Sequence, residues 1–157
     1  MDSVAAVTKV QPSVETLYRA DADRLWRAVY AYAGDPDIAS DSVAEAYAQL
    51  LRRGSEVRDP AAWTWRAAFR ISAGTLKARA GDSGGSTTTE HEDHYADTDL
   101  QRALRELPDA QRAAVVLFYY ADLPVRQIAD RLMTNSLAVR ANLSRGRRRL
   151  RLLLGER

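Results

Sequence analysis

The sequence has no cysteine, which excludes disulfides, a cysteine nucleophile and a thiolate zinc site. Its two histidines, His91 and His94, lie three apart in a stretch of acids, glycines and hydroxyl residues. A metal site there would need a packed second shell, which such a stretch does not build. Neither a metal nor a cofactor is expected. There is no phosphate-cradling glycine loop and no nucleophile motif, so an enzyme is not expected either. No apolar run approaches the roughly 18 residues that a membrane span needs. The first residues, MDSVAAVTKVQPS, carry an early acid and no long apolar core, unlike a secretory signal. The expectation is a cytoplasmic protein with no direct membrane insertion.

Charge is present and unevenly placed. The net charge of the 157 residues is only +2, but arginine is concentrated near the C-terminus and acids in the middle. The stretch from Leu123 to Leu154 reads as two helices and a turn. Pro124 suits the first helical position, where a missing N–H costs nothing. Val125, Ile128, Ala129 and Leu132 then recur at helical spacing. Met133-Thr134-Asn135 forms the turn, with Asn135 as N-cap of the next helix. That helix directs Leu137, Val139, Leu143 and Leu150 inward, and Arg140, Arg145, Arg147, Arg148, Arg149 and Arg151 toward its outer faces. A short helix, a tight turn and a long basic helix are the parts of a helix-turn-helix, whose second helix enters the major groove of DNA.

The rest of the chain is read as all-α, two small helical domains joined by a flexible linker. Residues 1–12 form a loose extension. Residues 13–80 form a three-helix bundle. Its first helix starts near Ser13, with Leu17, Leu25, Val29 and Tyr32 on one stripe, and ends at Gly34. Asp35-Pro36 opens the second, in which Val43, Ala46, Tyr47, Leu50 and Leu51 face inward. Asp59-Pro60 opens the third, which holds Trp63, Phe69, Ile71 and Leu76 in its pattern. Residues 81–97 are read as a flexible acidic linker rich in Gly, Ser and Thr. Residues 98–157 form the second domain. Leu100, Leu104 and Leu107 mark a short helix, and Ala113, Val116, Leu117 and Tyr120 face the core of the next.

Particular motifs carry a family resemblance. Leu104-x-x-Leu107-Pro108-x-x-Gln111-Arg112-x-x-Val115-Val116-Leu117, followed by the helix-turn-helix ending Asn142-Leu143-Ser144-Arg145-Gly146-Arg147, resembles region four of bacterial sigma factors. The closest type is the extracytoplasmic-function (ECF) group of the sigma-70 family. Leu17-Tyr18, Gly34-Asp35, the run Ala39 to Tyr47 and Val57-Arg58-Asp59-Pro60-Ala61-Ala62-Trp63 are similar to region two of the same proteins.

The resemblance implies a dissociable specificity subunit that binds core RNA polymerase and promoter DNA, with an anti-sigma protein as a possible further partner. It implies core docking by Asp41 and Glu45. It implies capture of the −10 element by Trp65, Arg66, Arg70, Lys77 and Arg79, where an unstacked base needs aromatic faces and the phosphates need cations. Trp63 is read as core and the loop from Arg53 to Arg58 as the wall of the base pocket. The −35 element would be read by Arg140, Ser144 and Arg145, with Asn142, Asn135, Ser136 and Arg148 as further candidates. Ser40 and Ala44 stand where the family usually has an acid and a glutamine, and Gly74 where it commonly has an aspartate. Two other readings therefore stay open: a DNA-binding regulator that does not dock on core, and a degenerate sigma-like protein that binds polymerase without opening promoters.

Overall fold

The structure is a computed structural model that describes residues 13–82 and 98–155. The extension 1–12, and from residue 83 onward the expected linker with His91 and His94, lie outside the described residues. Among the described residues seven α-helices follow one another: α1 (Val14–Ala33), α2 (Pro36–Arg53), α3 (Pro60–Asp82), α4 (Asp99–Arg105), α5 (Asp109–Tyr119), α6 (Val125–Arg131) and α7 (Ser136–Leu153). A single 3-10 turn, Gly54–Glu56, joins α2 to the segment before α3.

The helix boundaries follow from local chemistry. The Ser13 hydroxyl accepts the Thr16 N–H at 3.1 Å and starts α1. Gly34 ends it in the left-handed region at φ 73°, its N–H returning to the Tyr30 carbonyl at 2.7 Å. One Asp35 carboxylate oxygen accepts from Asp37 and Ile38 and opens α2 ahead of Pro36. Asp59 serves α3 in the same way through the Ala62 N–H. Thr98 and Gln101 form a reciprocal capping box on α4. Pro124 is the N-cap residue of α6 rather than its first helical residue, and α6 begins one position later at Val125.

Leu25, Val29, Leu50 and Trp65 centre the packing of α1, α2 and α3; Leu104, Leu117, Ile128 and Val139 centre that of α4 to α7. The two groups are also packed on each other, α1 against α4 and α5, and α3 against α6. Their buried side chains form one continuous cluster.

Three residues expected to face inward do not. Leu51 is 65% exposed because Leu50, one position and about 100° earlier on the helix, takes the core position. Leu137 is 78% exposed: Val139 and Leu143 set the buried arc of α7, and Leu137 falls well outside it. Tyr120 is half-exposed because α5 ends at Tyr119.

Gly146 allows α7 to lie close on α5. A Cβ at this position would meet Val115 Cγ2 at 2.8 Å. Gly146→Ala is therefore expected to destabilise the fold. Overpacking costs about 1–3 kcal/mol, more than the gain of up to about 1 kcal/mol in helix propensity. Thermal unfolding should show a lower midpoint, and adding Val115→Ala should recover part of the loss, a non-additive result.

Candidate nucleic-acid interface

The turn between α6 and α7 sets how α7 is presented. Thr134 donates to the Ala129 carbonyl at 2.9 Å, Met133 turns the chain at φ 55°, and the Asn135 side-chain oxygen accepts the Ala138 N–H at 2.8 Å. Val139, Leu143 and Gly146 are the buried residues of α7. Given that rotation, Arg140, Ser144, Arg145 and Arg148 are exposed on the outward arc, with Leu137 beside them. Four of the candidate residues thus share one solvent-facing surface. Asn135 is also exposed, but its side-chain oxygen is committed to the cap. Ser136 is half-buried at the helix start. Asn142 is half-buried and lines a cleft between the two groups of helices instead of the outward arc. Arg147 is held by its own group: its guanidinium lies 5.2 Å from the Phe118 ring and 5.6 Å from that of Tyr119.

On α3 the sequence expectation needs correction at Trp65. It is 1% exposed and cannot receive a base. Its indole N–H donates to Asp21 at 2.6 Å, and Arg24 and Arg131 lie over its ring. Trp63, read as core, is only half-buried, and Arg53 lies over its ring at 5.6 Å. The half-accessible indole of this helix therefore belongs to Trp63, next to the Arg53–Arg58 loop. Spacing places Arg66, Arg70 and Lys77 on one stripe of α3. Arg70 and Lys77 are exposed, and Arg66 donates to the Asp130 carbonyl at 3.4 Å. Arg79 is exposed but paired with Asp35 at 3.1 Å, which ties the end of α3 to the start of α2.

Asp41 and Glu45 are both exposed one turn apart on α2. Hydrogen bonds from Gln49 first and Arg52 second hold the Glu45 carboxyl below its ordinary range. Beside them runs a groove of about 570 Å³ between α1 and α2, lined by Tyr18, Trp26, Ser40, Ala44, Tyr47 and Leu51. A second apolar groove, about 580 Å³, lies on the other group between Leu100, Leu104, Tyr119, Tyr120, Leu150 and Leu154. Sequence reasoning missed both. The available signal was an excess of apolar residues over one helical face, at Leu50-Leu51, Tyr119-Tyr120 and Leu152-Leu153-Leu154. Among the described residues, no group of acids or histidines could hold a metal ion, and no helix is long and apolar enough to cross a membrane.

Fold and surface together define, among the described residues, an all-helical protein with a helix-turn-helix in its C-terminal part whose second helix presents a basic outward face. The family described as Sigma-70, region 4, matches residues 97–150. RNA polymerase sigma factor SigV of Bacillus subtilis is 30% identical over 141 residues, covering 82% of this chain and 83% of that protein. ECF RNA polymerase sigma factor SigK of Mycolicibacterium vanbaalenii is 29% identical over 140 residues, covering 77% and 71%. Among solved structures, sigma factor RpoE of Bartonella quintana, in complex with the anti-sigma factor NepR, shares the fold with a TM-score of 0.74 at 18% identity, over 90% of this chain and 96% of that one. CnrH, in complex with the cytosolic domain of CnrY, does so with a TM-score of 0.68 at 17% identity, over 90% and 87%. The chain belongs to the ECF group of the sigma-70 family of RNA polymerase sigma factors, and its function is that of a sigma factor in transcription initiation.

The α1–α2 groove carries its own pH signature. The Tyr47 hydroxyl is buried in its wall without a hydrogen-bond partner. Burial, then the nearby Asp21 and Tyr18, push it up from 10.0 to about 12. The fold keeps the hydroxyl protonated where the unfolded chain ionises it. Its share of stability is present below pH 10 and lost as pH rises toward 12. Tyr47→Phe should flatten that part of the decline in urea unfolding midpoints. At pH 7 it should leave stability unchanged or slightly raised, since an orphan hydroxyl is removed.

Proposed function

We propose that this sigma factor docks on core RNA polymerase through the α2 surface carrying Asp41 and Glu45, reads the −35 element with α7 and captures the −10 element with α3. The observation that carries the reading is the outward arc of α7. Arg140, Ser144, Arg145 and Arg148 are exposed on it, opposite the arc that packs on α5. Cations and a hydroxyl on the solvent face of the second helix are what base-edge and phosphate contacts in the major groove require. For the −10 element, Arg70 and Lys77 supply phosphate contacts, and Trp63 replaces Trp65 as the aromatic nearest the loop. We take residues 13–80 and 98–157 as the two functional units. The apolar grooves suit protein partners, since exposed apolar patches of this kind mark interaction sites. Core polymerase is one such partner. An anti-sigma protein is another, by analogy with the anti-sigma factor NepR in the RpoE complex.

A second reading, a DNA-binding regulator that does not dock on core, is favoured by Ala44, a methyl group in the middle of the proposed docking surface. Run-off transcription with purified core, beside a pull-down on the same core, separates the two. Transcripts that require the chain support a working sigma factor. DNA binding with no core binding supports the regulator.

Arg140→Ala and Arg145→Ala should each weaken −35-dependent initiation, by about 1–3 kcal/mol for an arginine that makes a bidentate contact to guanine. Core binding in the pull-down should be unchanged. Unchanged initiation from a −35-dependent promoter would remove these residues from the interface.

A further inference from the structure

Leu137 takes no part in the core of this protein. With Met133, four positions earlier in the turn, it is one of the two most exposed large apolar side chains among the described residues, at 78% and 83%. A single exposed leucine needs no explanation. These two flank the start of α7, the end at which a recognition helix reaches base edges. At about 100° per residue, Leu137, Ser144 and Arg148 fall within about 40° of one another. Arg140 lies about 60° to one side of Leu137 and Arg145 about 80° to the other. The inward residues Val139, Leu143 and Gly146 centre about 150° away. Leu137 therefore stands near the midline of the outward arc, with an exposed arginine on either flank.

Charge selects what covers it. α7 contains no acid. Arg140, Arg145 and Arg148 have no acidic partner among the described residues. An apolar protein surface laid over Leu137 would desolvate these cations without pairing them, which costs more than one leucine returns. A DNA duplex meets both needs. Its major groove is about 12 Å wide between two phosphate backbones, and its floor carries one apolar group, the C5 methyl of thymine. Against any other base edge, Leu137 would strip water from a donor or acceptor and offer no partner. Leu137 and Arg140 are about 4.5 Å apart along the helix axis, little more than one base-pair step of about 3.4 Å.

We propose, resting on the reading of α7 as the −35 contact, that Leu137 is a specificity-determining residue of this sigma factor. Its side chain packs on the C5 methyl of one thymine in the −35 element, within about two base pairs of the base that Arg140 reads.

The test uses holoenzyme assembled from core polymerase and the full chain. It is offered a genomic promoter fragment whose upstream element has been randomised, and the DNA retained on a filter is sequenced. The wild type should select thymine at a position close to the one whose preference is lost in Arg140→Ala. Deoxyuridine at that position lacks only the methyl, and should weaken retention about fourfold, the worth of one buried methyl group. Leu137→Ala should lose the thymine preference and retain the thymine and deoxyuridine fragments equally. The variant keeps its fold, because the side chain is exposed and alanine suits a helix. Absence of a selected thymine in the wild type, or an undiminished thymine-to-deoxyuridine ratio in Leu137→Ala, would overturn the assignment. So would weaker capture of Leu137→Ala on immobilised core with that ratio unchanged, which would make Leu137 a polymerase contact. Arg140→Ala separates this from the reading of α7. Unchanged selection over the whole element in Arg140→Ala defeats that reading. Altered selection there, beside a deoxyuridine effect that survives Leu137→Ala, defeats the role of Leu137 alone.

Discussion

The close approach of α7 to α5 at Gly146 governs which side chains of α7 face solvent. Glycine there lets Val115 fill the space a side chain would occupy, and Val139 and Leu143 bury on the same arc. A helix held by that arc has no freedom to rotate. Arg140, Ser144, Arg145 and Arg148 are consequently outward whatever their own preferences. The Asn135 cap sets where the helix begins, and the α5 contact sets its rotation. Phe118 and Tyr119 hold Arg147 on the flank, so one arginine of the basic run is spent on packing.

In the N-terminal group the comparable constraint is Trp65. A buried indole must find an acceptor for its N–H, and Asp21 provides it from α1. The carboxylate in turn pairs with Arg24, and the ring is covered by Arg24 and by Arg131 from the other group. One residue therefore joins α1, α3 and α6. This arrangement explains why an aromatic that looks suited to a flipped base is instead the hub of a polar and cationic cluster.

Much of the fold was legible in the sequence because its punctuation is local. Asp35-Pro36, Asp59-Pro60, Gly34 and Asn135 act within a turn of where they stand, and each marks a helix boundary within a residue or so. Side-chain direction was legible where one residue dominates its turn, as at Val139 and Leu143. It failed where two large apolar residues are adjacent, as at Leu50 and Leu51, or where two tryptophans stand two apart, since periodicity does not say which one the tertiary structure buries. The outward arc of α7 could be read because polar and apolar residues alternate there at helical period. The contact between the two groups of helices could not. Arg66 and Arg112 are separated by 46 positions and look like surface charges until Tyr32 and Asp130 are brought beside them. The apolar grooves were missed for a related reason: their lining comes from helices that meet only in the folded chain.

A sigma factor working with core polymerase must open promoter DNA. Permanganate reactivity of thymines near the start site measures unpaired bases directly, on genomic promoter fragments mixed with core alone, with the chain alone and with both. Reactive thymines are expected only when both are present. Protection of upstream DNA by the chain alone, with no reactive thymines on adding core, would contradict it and leave a helix-turn-helix regulator.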